Sequence, residues 1–426
     1  MIPPGRRTLP VLASFLLLLL AACGDRRASG VAYDGPYAPQ VRKLLPKLEA
    51  STGLAFTRAP VVEMRSRDEV RGFLEREFET GRQASQLEVQ GAAYRLFGLL
   101  PDSLDLKQMY LDLLTEQVAG YYDPKVKKLF LVDSQPDDVR AVTLGHELVH
   151  ALQDQHFDLD SVATSDLPND RLMATQAVIE GQATYEQLTA MLGEGFRMPG
   201  GWEMIRDQIR DNSQTMPRFA AAPFFVQEGL IFPYLSGSEF MRAFKAKYPR
   251  QSPYARMPAS TEQVLHPDKL LGDSVDAPTR VRLPAPAAGQ VAYRNVLGEF
   301  ETRLFIFQHL QDQATAIRGA AGWDGDEFLL LRFPTGEGLV WLTVWDSAVD
   351  AGEFYQVADR SVIARFRPKT YRPLGETGKL YPDLKGRAIR VAAVTVGGRP
   401  AVLYVDVPAG VETSLLPLAK VALDAP

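Results

Sequence analysis

The sequence predicts an α+β protein in two parts: a mainly helical body with a small β-hairpin over residues 40–280, and a C-terminal antiparallel ββαββα module over residues 281–426. Three observations predict this. Apolar residues recur at helical spacing through most of the first part, two alternating runs around Asp123-Pro124-Lys125 break that period, and after the Pro/Ala-rich stretch from Leu283 to Gly289 the pattern turns to paired strands joined by glycine-containing turns. With 46% hydrophobic and 23% charged residues, the 426-residue chain has an ordinary globular composition and enough length for two or three domains. Its formal charge of −5 provides no basic footprint, so nucleic acid is not an expected partner.

The N-terminus combines Arg6 and Arg7 with an apolar run from Val11 to Ala22 and the sequence Leu20-Ala21-Ala22-Cys23. A run of that length is too short for a spanning helix, which needs about 20 residues. It reads as a signal peptide over 1–22. The four residues ending at Cys23 resemble a bacterial lipobox, which implies cleavage before Cys23, lipid on that residue and a stable membrane anchor. Residues 23–39 then form a lipidated tether, and the body stands in the cell envelope on the outer side of the cytoplasmic membrane. Gly24 in place of Asp points to the outer membrane, facing the periplasm, in a Gram-negative cell. Cys23 is the only cysteine, so no disulfide within the chain is expected.

Along the body, residues 40–56 read as a helix and 60–65 as a strand. Ser66-Arg67-Asp68-Glu69 is a capping box that opens a helix running towards Thr80, and helices follow near 84–99 and 104–118. The segment from Glu116 to Val132 gives a hairpin. In the second part a helix is expected near 297–319. Phe328 to Phe333 and Leu339 to Trp345 flank a turn, Asp350 to Arg365 is helical, Ile389 to Val396 and Pro400 to Val407 flank Gly397-Gly398-Arg399, and 411–423 closes the chain as a helix. Gly322-Trp323-Asp324-Gly325-Asp326 lacks a complete calcium-loop pattern and reads as a turn.

The chemistry concentrates in His146-Glu147-Leu148-Val149-His150. Residues four apart share one helix face, so both imidazoles reach one metal ion and the glutamate between them stands beside the open coordination position. The flanks supply the helix, from about 138 to 154: Asp137 and Asp138 suit a first turn, and Val142, Leu148, Val149 and Leu152 carry helical spacing. Burying two histidines and a glutamate among such residues is costly unless a metal partners them.

Two residues compete as third ligand. His156 completes the histidine spacing of a metzincin, but Gln153 stands where that motif has the glycine that breaks the helix. Glu180, in Glu180-Gly181-Gln182-Ala183, lies on a second helical segment after Leu167-Pro168-Asn169-Asp170. This E-G-x-A sequence resembles the signature of gluzincin metallopeptidases. The resemblance implies a zincin-like core with His146, His150 and Glu180 holding Zn2+ and Glu147 as general base. It departs at Thr184, where thermolysin-like enzymes carry an acid, and the hydroxyl there is the expected partner for a ligand histidine. By the same resemblance, His266 and Tyr185 are candidates to stabilise the developing oxyanion, although His266 also simply ends a short helix before Pro267. The hairpin would offer an edge strand to an extended substrate, with Tyr121 and Tyr122 lining the cleft or packing the hairpin onto the helix. Together with Ser260-Thr261-Glu262-Gln263-Val264-Leu265-His266-Pro267, these motifs are similar to those of a little-characterised group of bacterial HExxH proteins. The expected activity is zinc-dependent hydrolysis of peptide bonds in a peptide or protein substrate. Hydrolysis of other amides, or a catalytically silent zinc-binding envelope lipoprotein, are the competing readings.

Overall fold

The computed structural model describes residues 30–80, 82–162, 167–193, 216–249 and 251–424, with isolated positions between 204 and 211. The predicted signal peptide, Cys23 and the start of the tether lie outside the described residues. The rest of the tether is short of the expected 39: Tyr33 is already buried in the body's core, and its hydroxyl donates to the Pro36 carbonyl (2.8 Å).

The first core is built on a three-stranded sheet. Helix α1 (Ala38–Thr52) ends at Gly53, which takes the left-handed conformation that a helix C-terminus favours. Strand β1 (Val62–Arg65) pairs in parallel with β3 (Lys128–Val132), and β3 pairs antiparallel with β2 (Gly120–Asp123), giving the order β1-β3-β2. Between them run α2 (Arg67–Thr80), α3 (Arg82–Phe97) and α4 (Leu106–Gln117). The capping box at Ser66 forms as expected: the Ser66 N–H donates to Glu69 (2.7 Å) and the Glu69 N–H to the Ser66 hydroxyl (3.2 Å). Leu129 and Leu131 of β3 pack with Val41, Leu45 and Leu48 of α1 and with Leu148, Val149 and Leu152 of α5 (Asp137–Phe157). One strand face and two helix stripes thus close a dry wedge under the histidine helix.

Helix α6 (Leu159–Val162) is one turn, and α7 (Asn169–Leu192) then crosses α5. After α8 (Pro217–Ala221), the long α9 (Phe224–Lys247) lies against α7 at very short range. A Cβ on Gly181 would meet the Gly237 carbonyl carbon at 2.2 Å, and one on Gly237 would meet the Ala177 carbonyl oxygen at 2.1 Å. Only glycine fits at this crossing. The apolar run from Phe224 is therefore part of a helix packed on α7.

Two short helices, α10 (Thr261–Leu265) and α11 (Pro267–Leu271), and strand β4 (Arg280–Arg282) lead into the second part. There, β5 (Gln290–Asn295), α12 (Gly298–Leu310), α13 (Gln313–Ala320), β6 (Trp323–Phe333), β7 (Gly336–Trp345), α14 (Ala348–Phe366), β8 (Arg372–Pro373), β9 (Gly378–Tyr381), β10 (Arg387–Val396), β11 (Arg399–Pro408) and β12 (Ala422–Asp424) follow. Seven strands form one antiparallel sheet in the order β5-β6-β7-β11-β10-β9-β8. The molecule is thus α+β, and the expected pair of hairpins around a helix is the centre of this sheet; β5, β8 and β9 are additions at its edges.

Three expectations change here. The helix expected over 297–319 is two, because Gln311 turns left-handed (φ 54°) and Asp312 caps α13 by accepting from the Thr315 N–H. The closing helix is absent: Pro417 precedes a single 3-10 turn at Leu418–Lys420, and β12 then pairs antiparallel with β4. Gly322 to Asp326 is not a turn, since Trp323 already begins β6. The Asp326 carboxylate accepts from the backbone N–H groups of Leu297 and Gly298 and from the indoles of Trp323 and Trp341, and Asp324 pairs with Arg399. Nor do the two parts enclose separate cores. One apolar cluster runs from Phe97, Val178 and Phe240 to Phe305, Trp341 and Tyr404, crossing the boundary expected at 281.

Candidate metal centre

Helix α5 starts behind Pro136 with Asp137 and Asp138 in its first turn, where carboxylates complement the helix dipole, and it runs unbroken to Phe157. One face carries His146 and His150, and α7 brings Glu180 against them. Nε2 of His146 lies 3.1 Å from Nε2 of His150 and 3.1 Å from Oε2 of Glu180, and Nε2 of His150 lies 3.3 Å from the same oxygen. Ligand atoms about 2.0–2.1 Å from a tetrahedral zinc stand about 3.3 Å from one another, so the donor set and its spacing fit that ion.

Two glutamines fix which ring nitrogens face the cluster. The side-chain nitrogen of Gln153 donates to the Ile179 carbonyl (3.0 Å), which turns its oxygen to His150 Nδ1 at 2.8 Å. The side-chain nitrogen of Gln187 donates to the Val142 carbonyl (2.9 Å), leaving its oxygen 3.3 Å from His146 Nδ1. Each Nδ1 therefore carries a proton, and each Nε2 presents a lone pair to Glu180. Three acceptors within 3.3 Å repel one another unless a cation lies among them. In the metal-free protein a proton fills that need: burial works to lower His150, but Glu180 outweighs it and pushes the imidazole up to about 9. Burial likewise works to raise Glu180, but His150 and His146 hold its carboxyl well below the usual carboxylate range. A divalent ion would displace the proton.

Glu147 is buried on the same helix, and burial raises its carboxyl above the ordinary value even though the two histidines pull it down. It accepts a hydrogen bond from the Tyr122 backbone N–H. This contact places β2 along the site. Ala119 accepts from the Val132 N–H (2.9 Å), so by antiparallel alternation Gly120 and Tyr122 turn their backbone groups away from β3. On that side β2 has no strand partner among the described residues.

The other predicted site residues separate. His156 Nε2–H donates to the Ala55 carbonyl (2.9 Å), tying the end of α5 to the chain after α1, and it is not among the clustered ligands. Tyr185 is buried in the apolar cluster with Val178 and Phe225. His266 contacts Glu299 (3.1 Å) and Arg303 (3.0 Å) of α12. Tyr121 stacks on Phe73 and tilts against Phe130, both at 5.0 Å, so it packs the hairpin. Tyr122 turns its hydroxyl to Asp154 (2.7 Å), and Lys127 completes that network (2.9 Å). Thr184 is buried and is not the histidine partner; Gln153 and Gln187 are.

The tyrosine at the cluster is Tyr234, one turn before Gly237 on α9. Its ring centroid lies 5.9 Å from that of His146. The side chain is 37% exposed, yet its hydroxyl end bonds to Glu180, and that carboxylate, with burial, raises the phenol well above its ordinary value. A second group of carboxylates, Glu262, Asp276 and Asp346, needs no metal: the Lys269 ammonium sits among them at 2.6, 2.8 and 3.0 Å.

A family profile described as "Domain of unknown function (DUF8575)" matches residues 286–398. The match covers the second part from β5 to β10 and none of the histidine cluster. No curated protein and no solved structure matches the chain.

Proposed function

We propose that this chain is a zinc-dependent hydrolase of gluzincin type that cleaves peptide bonds. The observation that carries the reading is the meeting of two Nε2 atoms and a carboxylate oxygen, spaced for a tetrahedral ion, beside a buried glutamate. Zinc, when bound by His146, His150 and Glu180, supplies Lewis acidity that acidifies water and polarises a carbonyl. Glu147 takes the proton of the attacking water on its carboxylate and delivers it to the leaving amine; its raised affinity for protons suits both steps. The Tyr122 N–H holds that carboxylate in place. The remaining outward backbone groups of β2, those of Gly120 and the Tyr122 carbonyl, pair with an extended substrate chain, and the Tyr234 hydroxyl, leaving Glu180, donates to the developing oxyanion. The lipobox supports a site of action in the cell envelope, with Cys23 lipidated and the body on the outer side of the cytoplasmic membrane.

The test compares the purified full-length protein with Glu147→Gln for zinc content and for cleavage of casein and a peptide library. One zinc per chain in both, with cleavage lowered at least about 100-fold in the variant, is expected, the lower end of what a positioned acid–base group contributes. Zinc in both with cleavage in neither would favour a zinc-binding lipoprotein without catalysis. For the anchor, Cys23→Ser is expected to release the protein from membrane fractions; unchanged processing and attachment would remove that part of the proposal.

A further inference from the structure

The first turns of α7, about 15 Å along its axis from Glu180, border a second concavity with no role in the chemistry above. It has a volume of about 1230 Å³ and lies where α3, α4, α7, α9 and α12 meet strands β4 to β6. Sites for small organic ligands occupy about 300–1,000 Å³, so an organic molecule fits with room to spare.

Its chemistry centres on Glu301 of α12, which is only 4% exposed. The carboxylate takes the Tyr94 hydroxyl at 2.9 Å on Oε1 and 3.1 Å on Oε2, and the Asn169 side-chain nitrogen at 2.8 Å on Oε1. Gln90 in turn donates to the Tyr94 oxygen (2.9 Å), which commits that hydroxyl's proton to Glu301. Tyr94 has one proton for two oxygens, so Oε2 has no donor of its own although a carboxylate accepts about four hydrogen bonds. Around it stand aromatic rings that also border the cavity: Tyr94 with Phe225 at 4.6 Å, Tyr110 and Tyr293. The phenols of Tyr94, Tyr110 and Tyr293 all feel the Glu301 charge. With only neutral donors nearby, burial pushes Glu301 up to about 8, so a cation placed beside it would meet no competing positive partner. A carboxylate with aromatic rings beside it is an arrangement that suits organic ammonium groups.

The mouth narrows the class. Arg171, Arg280, Arg282 and Arg294 are exposed on the cavity's walls, and among the described residues only Arg282 and Arg294 of these are in ion pairs, with Asp424 and Glu327. Such a rim repels a chain of several positive charges. We propose that this cavity binds a monoammonium ligand with an apolar body, the ammonium group seated against Oε2 of Glu301 and the carbon skeleton against the rings of Tyr94, Tyr110, Tyr293 and Phe225.

Isothermal titration of the full-length protein at pH 8.5, above the value of about 8 to which burial raises Glu301, with phenethylammonium, phenethyl alcohol, phenylpropionate and spermidine tests it. Phenethylammonium is expected to bind at least tenfold more tightly than the alcohol, the anion and spermidine. Glu301→Gln should weaken it at least tenfold with the circular dichroism spectrum retained, and Leu230→Trp, which adds bulk to the cavity wall, should weaken it as well. Glu147→Gln should bind it as the parent does, which separates this site from the hydrolytic one. Equal affinity for the alcohol, tighter binding of spermidine, or unchanged affinity in a folded Glu301→Gln would overturn the proposal.

Discussion

Glu180 and Glu301 are both glutamates on helices, the first with its side chain 25% exposed and the second buried, and the protein holds them in opposite states. Glu180 faces two imidazoles that carry or share positive charge, and it is held ionised far below the ordinary carboxylate range. Glu301 bonds only to a phenol and an amide, both neutral, and burial, with the charges of Asp170 and Asp326, drives it the other way, to about 8. Burial alone favours the neutral acid in both places. What differs is whether the partners can supply charge or only dipoles, and that difference separates an ionised carboxylate from a proton-holding group. A buried carboxylate is thus read from its partners before its depth.

The largest effect should come from removing the charged side of this contrast. Glu180→Ala is expected to weaken zinc binding by more than about 100-fold, the upper end of what outer-shell changes cost, while His156→Ala leaves it unchanged; equal losses in metal titrations would return His156 to the ligand set. The intermediate effect concerns the dipoles around the charged site. Gln153→Leu removes the acceptor that holds the proton on His150 Nδ1, and zinc affinity should fall about 10- to 100-fold. A Gln153→Leu protein with parental affinity would mean that the ring is oriented by packing alone. The smallest effect belongs to the neutral side. Asp170, Asp326 and Glu301, raised by burial to about 7, 6 and 8, hold protons in the folded state that the unfolded chain has already released near its ordinary values. Stability from these groups is therefore fully present below about pH 4 and is lost as pH rises through their folded values. Glu301→Gln should flatten urea-measured stability between pH 5 and 8 by about 1 kcal/mol per pH unit. An unaltered slope would show that Glu301 is ionised in the fold.

Much of the candidate metal site was legible because helical period is a strong signal. His146 and His150 at four residues, and Glu180 on the next apolar helix, came together from spacing and resemblance. The same period tells against Tyr185, which five residues carry about 140° around α7 from Glu180, and into the core. Tyr234 was hidden because its placement depends on how α9 crosses α7, a contact between residues 56 positions apart. Gln153 was read as a defect in one motif when its side chain serves another purpose. In the second part, the long β6–β7 and β10–β11 pairs stood out by their turns. The edge strands did not, since β8 has two residues and β9 four, too few to show alternation. Residues 411–423 carried a helical pattern that Pro417 and the pairing of β12 with β4 override.

The Gly181–Gly237 crossing has a mechanical consequence. Two backbones in contact act as a fulcrum, and Tyr234 lies only three residues from it, about 4.5 Å along the axis. Tilting α9 by about 10° about that point would shift Tyr234 by less than about 1 Å, whereas Lys247, about 15 Å out on the other arm, would swing by more than about 2 Å. The long arm is not loose, however: Lys245 pairs with Glu186 of α7 (2.8 Å) and donates to the Ser51 carbonyl (3.3 Å), so α9 is held both at the fulcrum and near its far end, and the geometry over the histidines stays nearly still.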